Sequence, residues 1–468
     1  MVSVENNYFH FIAIGGVGMS GLAKYLLENG YKVTGSDIQE SKYTKALEKL
    51  GAKIYIGHSE DNIVGYPKIV ASTAIRESNP EIQKAKSLGL PILHRSDLLQ
   101  YIANKFSERD ASLFIGFAGT HGKTTTSGLC SYILEKTGLK PSYVVGGFIP
   151  EINTNAKYAS DNYFIAELDE SDGTILKYSP DINVINNLEE DHLDFYTNGF
   201  EDLLNTFNKY MGGLKETAKN IINIDNEGNR KLIEANPDKK FITFGLKNAD
   251  YTAKNIEYID FGSKFNILKN DKVIANIELS VPGEHNVYNA LAVFAALTEA
   301  NISPDKISKE FKNFTGMGRR FQLIEEFNNI KIIDDYAHHP SEIKATIESA
   351  RKATDRRLVA IFQPHRYTRL KSLWKDFMTS FEKADKLIVV DVYAASEDEI
   401  KGVTSENFAN EIKHKDAISV KGSIKEAATQ IIKTLQPNDI VLTLGAGDIT
   451  KIGGYLKESY EAQINLCK

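Results

Sequence analysis

Leu113-Phe114-Ile115-Gly116-Phe117-Ala118-Gly119-Thr120-His121-Gly122-Lys123-Thr124-Thr125-Thr126 decides the fold class of this chain. Residues 113–118 read as a strand, Gly119-Thr120-His121-Gly122 as a tight turn, and a helix is expected from Lys123 onward. That order converges backbone N–H groups on phosphate oxygens. Lys123 adds a mobile cation, and the Thr124 hydroxyl at the helix N-terminus is placed to meet Mg²⁺. A nucleoside triphosphate is therefore the expected ligand of Gly119, Thr120, His121, Gly122, Lys123, Thr124 and Thr125. The spelling is a shortened phosphate loop: the usual pattern has its first glycine five residues before the second, where Phe117 stands here, and Gly119 lies three before Gly122. The bland alternative is a glycine turn beside a surface lysine.

On both sides of this loop, strand-like and helical runs alternate. Upstream, strands are expected at 9–14, 32–34, 53–55 and 68–71 and helices at 18–29 and 44–50, the rhythm of a parallel sheet flanked by helices. The charged stretch 104–110 reads as a linker, with a boundary near residue 107. Downstream, strands are expected at 163–168, 182–187 and 220–224, then a β-rich patch over 241–279 and a helix over 284–300. Residues 313–318 read as a second linker, followed by strands at 330–334, 358–362, 386–390 and 439–444. The expected architecture is three α/β domains in series. Residues 1–107 form a Rossmann-like domain, 108–317 a phosphate-loop domain with a parallel sheet and a β-rich patch, and 318–468 a Rossmann-like C-terminal domain.

Composition narrows the function classes. The 468 residues carry a formal charge of −6, with acidic and basic residues interspersed, which draws the chain neither to nucleic acid nor to an anionic membrane. Cys130 and Cys467 are too few and too far apart for a disulfide framework or a thiolate zinc site, so a reducing cytoplasm is expected. The N-terminus shows no basic start or cleavage site of a signal peptide, and no apolar run reaches membrane-spanning length.

Gly16-Val17-Gly18-Met19-Ser20-Gly21 follows a strand and opens a helix, and Asp37 comes 19 residues after Gly18. This spells a dinucleotide-binding fingerprint and makes a nicotinamide-dependent dehydrogenase the first rival reading. The physics of the motif is narrower. It supplies amides for a diphosphate and a carboxylate for a hydroxyl, which any nucleotide diphosphate satisfies. Hydride transfer leaves a separate triphosphate loop unexplained, whereas ATP together with a UDP-sugar uses both sites. Glycines serving only close helix–strand packing remain the structural alternative.

Taken together the motifs resemble the ATP-dependent Mur ligases of peptidoglycan synthesis over essentially the whole chain. The resemblance is carried by 14–21, the 119–126 loop, Glu167-Leu168-Asp169-Glu170-Ser171-Asp172, Asp191-His192-Leu193-Asp194, 283–290, 318–322, Asp334-Asp335-Tyr336-Ala337-His338-His339-Pro340 and 363–369. The turn Gly18-Met19-Ser20-Gly21 resembles the branch that adds L-alanine rather than the branch that recycles an intact tripeptide. This implies that the lactyl carboxylate of UDP-N-acetylmuramate takes the γ-phosphoryl group of ATP, and that the amine of L-alanine then attacks the acyl phosphate. Moving a phosphoryl group between anions needs charge neutralisation and alignment.

The resemblance assigns residues accordingly. Lys123, Glu167, His192 and His338 are the candidate catalytic groups, with Thr124 and Glu167 on one Mg²⁺ and His192 on a second. Several relatives place a carbamoylated lysine some fifteen positions after this histidine; Phe207 stands there, so none is expected, and Lys209 reads as a solvated helix residue. His285, Asn286 and Asn289 are candidates for adenine, with helix capping by Asn286 as the alternative, and Arg320 and Asp335 are candidates for the ATP phosphates and nucleotide. Gly16, Val17, Gly18, Met19, Ser20, Asp37, Ser72 and Thr73 are expected on the UDP-linked substrate, with His94 and Arg95 nearby. Arg366 and Arg369, three apart and so one helical turn from each other, are expected on its carboxylate and phosphate oxygens unless they form a solvated basic face. The sequence does not identify the base for the alanine ammonium; His338 or water can serve. No nucleic-acid or membrane partner is expected, and the chain is expected as a monomer or weak homodimer. A non-enzymatic nucleotide switch is the remaining rival, and it needs no sugar-nucleotide site.

Overall fold

The computed structural model describes residues 7–72, 75–190, 195–259, 261–395 and 397–466. Its first sheet joins β1 (Tyr8–Ile12), β2 (Lys32–Asp37), β3 (Lys53–Ile56), β4 (Lys68–Ala71) and β5 (Ile92–His94) in the order β3-β2-β1-β4-β5. Every pair is parallel. Helices cover both faces, which is why the central strand Tyr-Phe-His-Phe-Ile is an almost unbroken apolar run with four of five residues buried. The order reverses beside β1, and the turn after β1 opens at that switch point, where doubly wound sheets bind ligands.

The second sheet has ten strands in the order β15-β14-β13-β12-β11-β10-β6-β9-β7-β8. These are β6 (Leu113–Ala118), β7 (Ser142–Ile149), β8 (Thr154–Lys157), β9 (Tyr163–Glu167), β10 (Ile182–Ile185), β11 (Lys219–Asn223), β12 (Phe241–Gly245), β13 (Tyr251–Ile259), β14 (Gly262–Lys269) and β15 (Lys272–Leu279). β6 is central and pairs in parallel with β9 and β10, so the phosphate loop leaves from the carboxyl ends of the sheet. β13, β14 and β15 supply the expected β-rich patch. The third sheet joins β16 (Gln322–Phe327), β17 (Ile330–Asp335), β18 (Leu358–Phe362), β19 (Lys386–Val390), β20 (Ala417–Val420) and β21 (Ile440–Leu444) in the order β16-β17-β21-β18-β19-β20. Only β16 runs antiparallel to its neighbour there.

Two sequence expectations change. Residues 104–107 belong to the last turn of the helix Arg95–Ser107 rather than to a linker, because Phe106 is buried and packs its ring 5.4 Å from Phe164 while the charged neighbours face solvent. β5, β7, β8, β16 and β20 were not anticipated as strands.

The chain divides into two compact units, one comprising Met1–Ile256, Phe265–Glu278 and His285–Phe314, the other Glu257–Lys264, Leu279–Glu284 and Thr315–Lys468. The first sheet and most of the second share the first unit because the helix Val17–Glu28, which follows β1, lies against β7 and β8. Among the described residues no helix is long and apolar enough to cross a membrane.

Candidate active site

The loop after β6 owes its shape to two glycines at positive φ, Gly119 at 119° and Gly122 at 83°, the latter capping the helix Lys123–Lys136. A Cβ on Gly122 would also sit 2.7 Å from Asn289 Oδ1 and 3.0 Å from Asn186 Nδ2. The strand end beyond β10 holds the loop: Thr120 N donates to Asn187 O at 3.0 Å, His121 N to Asn187 Oδ1 at 2.7 Å, and Glu189 N to Thr120 Oγ1 at 2.9 Å. His121 itself is exposed.

Lys123 is buried, and its Nζ donates to Gly119 O at 2.7 Å, Thr120 O at 3.1 Å and Glu170 Oε1 at 2.8 Å. Burial pushes the Glu170 carboxyl above its usual range, and the lysine charge opposes that rise. Glu170 lies in one of the quoted motifs, but nothing in the sequence pairs it with Lys123.

Glu167 ends β9 opposite Phe117 of β6, which delivers its carboxylate beside the loop. Its Oε2 accepts from Thr124 Oγ1 at 2.9 Å and from Gly146 N at 3.1 Å. A hydroxyl and a carboxylate in contact at a helix N-terminus fit Mg²⁺, which takes one or two protein oxygens and completes its shell with phosphate and water. Among the described residues no three His, Cys, Asp or Glu side chains cluster in a way that could hold a metal ion. His192 and Thr73 lie outside the described residues.

Asn286 and Asn289 are buried and bonded to each other, Asn289 Nδ2 donating to Asn286 Oδ1 at 3.0 Å, so this helix start braces the phosphate loop through Asn289. His285 is exposed.

At the N-terminal turn Gly16 caps the helix Val17–Glu28 without a side-chain partner, and Asp37 Oδ2 accepts from Gly15 N at 2.8 Å. One oxygen of Asp37 therefore shapes the turn. Met19 packs into the core and the Ser20 hydroxyl donates to Val17 O at 3.0 Å, which suits a turn that offers a ligand its backbone amides. Ser72 follows β4, and Ala71 is paired with His94, which brings Arg95 beside the turn. The Arg95 guanidinium lies 3.5 Å from where a Cβ on Gly18 would be and donates to Asp169 Oδ2 at 2.6 Å. A cleft lined by Gly18, Arg95, Gly146, Glu167 and Asp169 runs from this turn to the carboxylate beside the phosphate loop.

Arg320, Asp335, His338, Arg366 and Arg369 belong to the second unit. Asp335 is buried, its two oxygens accepting from Phe321 N and Ala337 N, each at 2.8 Å, and burial raises its pKa against the pull of Arg320. Its carboxylate thus fixes the backbone immediately after Arg320, which is exposed. His338 Nδ1 contacts Tyr336 O at 3.0 Å, and burial lowers its pKa. Its ring is 6.0 Å from that of His365, which stacks on Tyr393 and contacts Arg369 Nη1 through Nδ1 at 3.1 Å. Burial and then Arg369 lower His365 to about 4.

Arg366 stands at the N-cap of a short helix and Arg369 in its first turn. The helix begins at Tyr367, and Arg366 precedes it at φ 72° with Nε donating to Glu397 Oε1 at 2.5 Å; Glu397 also accepts from Thr368 N at 3.0 Å. His365, Tyr393 and Glu397 were not singled out as site residues, since only the return of the chain after β19 brings the last two to this loop.

The family models described as "Mur ligase family, catalytic domain", "Mur ligase middle domain" and "Mur ligase, glutamate ligase domain" match residues 8–107, 117–297 and 319–447. The UDP-N-acetylmuramate--L-alanine ligase of Geotalea daltonii is 41% identical over 96% of this chain and 97% of its own length. That of Pelotomaculum thermopropionicum is 41% identical over 96% of each. Among solved structures, the UDP-N-acetylmuramate-alanine ligase of Thermotoga maritima superposes with a TM-score of 0.81 at 28% identity, covering 97% of this chain and 99% of that one. A murein peptide ligase from Psychrobacter arcticus shares the fold, with a TM-score of 0.66 at 23% identity over 97% and 98% of the two chains.

Proposed function

The chain belongs to the Mur ligase family, and from that premise we propose that it is an ATP-dependent ligase joining L-alanine to the lactyl carboxylate of UDP-N-acetylmuramate. The observation that carries the chemistry is the cleft from the Gly18 turn to Glu167, beside the Lys123 loop, which gives a sugar nucleotide and a triphosphate one meeting place.

Backbone amides at Gly16–Gly18 take the diphosphate, Asp37 and Ser72 lie toward the uridine end, and Thr73 is assigned there on the resemblance alone. Gly119–Thr125 hold the ATP phosphates, where Lys123 neutralises charge as the γ-phosphoryl group moves to the substrate carboxylate. Thr124 and Glu167 hold one Mg²⁺, and His192 is assigned to a second. The ions supply further charge neutralisation when bound. Asn286, Asn289 and His285 are assigned to the adenine side, Arg320 and Asp335 to ATP, and Arg366 and Arg369 to substrate oxyanions.

Attack by the alanine amine forms the C–N bond and expels phosphate. The amine gives up its proton to His338, which burial keeps neutral near pH 7, or to water. Domain boundaries near 107 and 317, a cytoplasmic location and a monomer or weak homodimer complete the reading. Phosphate release from ATP with UDP-N-acetylmuramate and Mg²⁺, with and without L-alanine, tests it. The expected result is alanine-dependent release with a product heavier by one alanyl residue. Turnover with an intact tripeptide instead would move the assignment to the recycling branch.

A further inference from the structure

One hairpin separates the two candidate sites, and two glycines let it touch both. β7 and β8 pair antiparallel, Val144 opposite Ala156 and Ile149 opposite Thr154, with an irregularity between. On β8 the amide of Asn155 is almost wholly buried, and its Nδ2 donates to Val17 O at 2.8 Å, in the first turn of the helix that follows the diphosphate turn. Farther along the same helix, Lys24 Nζ donates to Ala156 O at 2.7 Å and Glu28 Oε2 accepts from Tyr158 N at 2.9 Å. The helix is fastened to the hairpin end to end.

This approach requires glycine at residue 21, where a Cβ would lie 2.9 Å from Asn155 Nδ2 and 3.5 Å from Ala156 Cβ. The other edge of the hairpin reaches the second site. Gly146 N, at the irregular part of β7, donates to Glu167 Oε2 at 3.1 Å, and a Cβ on Gly146 would lie 2.3 Å from that oxygen.

We propose that Asn155 is a positioning residue for the sugar-nucleotide turn, and that the β7–β8 hairpin sets the distance from that turn to Glu167 and Thr124. The hairpin thereby fixes how far the carboxylate of a bound sugar nucleotide reaches toward the triphosphate. Asn155 touches no reacting atom; it holds the carbonyl of Val17 and, through it, the direction of the amides in the first turn. The inference rests on assigning the Gly16–Gly18 turn to a UDP-linked substrate.

Calorimetric titration with UDP-N-acetylmuramate, and separately with Mg-ADP, on the wild type, N155A, G21A and G21A/N155A tests it. N155A is expected to weaken sugar-nucleotide binding roughly five- to tenfold, the worth of one hydrogen bond, with Mg-ADP affinity within about twofold and KM rising for the sugar nucleotide but not for ATP. G21A is expected to lose more, and adding N155A to it to recover part of that loss by removing the atom it collides with. Wild-type sugar-nucleotide affinity in N155A overturns the proposal, as does a parallel loss of both ligands, which marks general loosening. If G21A does not fold, the N155A titrations decide alone. A wild type that binds no UDP-N-acetylmuramate would remove the substrate assignment itself, an outcome distinct from an unaffected N155A.

Discussion

Replacing Lys123 with methionine should cost stability as well as activity, and replacing Glu170 in the same chain should return the stability alone. The Lys123 Nζ lies 2.8 Å from Glu170 Oε1, with side-chain exposures of 10% and 0%. Removing one partner of a buried pair strands the other charge and costs about 3–5 kcal/mol. K123M falls at the lower end, about 3 kcal/mol, because Glu170 can escape by taking a proton. Burial already holds its pKa above the usual range, and loss of the lysine raises it further. A carboxyl whose folded pKa exceeds its unfolded value favours the folded state fully only below the unfolded pKa, about 4.3, and loses that contribution as pH rises through the folded pKa. K123M should therefore be relatively most stable in mild acid. K123M/E170Q leaves no buried charge, and about 2 kcal/mol should return with the pH slope gone. Urea unfolding followed by far-UV circular dichroism reads both units, and the midpoint expected to shift is that of the first. Trp374, the single tryptophan, lies in the second and serves as an internal control whose midpoint should stay put. ATP turnover should be absent in both variants. A double variant no more stable than K123M would refute the reasoning, as would a K123M without loss.

Glu167→Gln keeps the shape but not the charge opposite Thr124, so the Mg²⁺ concentration for half-maximal activity should rise and kcat should fall at least about 100-fold, read by phosphate release across a Mg²⁺ titration. Arg95→Ala removes the guanidinium between Gly18 and Asp169; KM for UDP-N-acetylmuramate should rise roughly tenfold with KM for ATP unmoved, and an unchanged sugar-nucleotide KM would take Arg95 out of the site. His365 has a folded pKa of about 4 against an ordinary 6.5, set by burial, Arg369, His338 and Arg366, with Glu397 opposing. Its protonation therefore favours unfolding, and the second unit should lose stability as pH falls from about 6.5 toward 4, by at most roughly 1–2 kcal/mol at a partly exposed group. Trp374 fluorescence in urea at pH 5 and 7 should show this difference in the wild type and a smaller one in His365→Gln.

The β6 run and its loop were legible because the information is local: an apolar strand, glycines where φ turns positive, and a lysine and threonine opening a helix. The same holds for β1, β9, β18, β19 and β21, mostly apolar runs buried in sheets, and less strictly for β10, β11 and β17, whose apolar residues are interrupted by Asn, Lys and Asp. β7 and β8 escaped notice for physical reasons. β7 is interrupted by Gly146 and Gly147, and β8 is the edge strand Thr-Asn-Ala-Lys, whose pairing is decided by Tyr143 and Val144 rather than by its own residues. In the site, Lys123, Thr124 and Glu167 could be found from their elements, whereas Glu170, Asn187, Asn155 and Glu397 acquire their roles only through partners 31 to 138 residues away.

Gly21 shows why the dinucleotide reading is a fair rival from spacing alone and why it does not hold for this chain. Glycine spacing states only that a backbone must come close to something at three points. In a dinucleotide site the first two points face a diphosphate, and the third accommodates the packing of helix on strand. In this chain the third point faces Asn155 and Ala156, so the residue that completes the fingerprint is occupied with docking one sheet's leading helix on the next sheet's edge. The motif's ligand half, Gly15 to Gly18 with Asp37, fits any nucleotide diphosphate, and its packing half answers to a neighbouring domain that a free-standing dinucleotide fold does not have. The cleft from Gly18 to Glu167 depends on that docking, because the hairpin that Gly21 admits is the one whose Gly146 holds the Glu167 carboxylate. Two sites that the sequence could only place in separate domains are thus tied together by a strand it did not reveal.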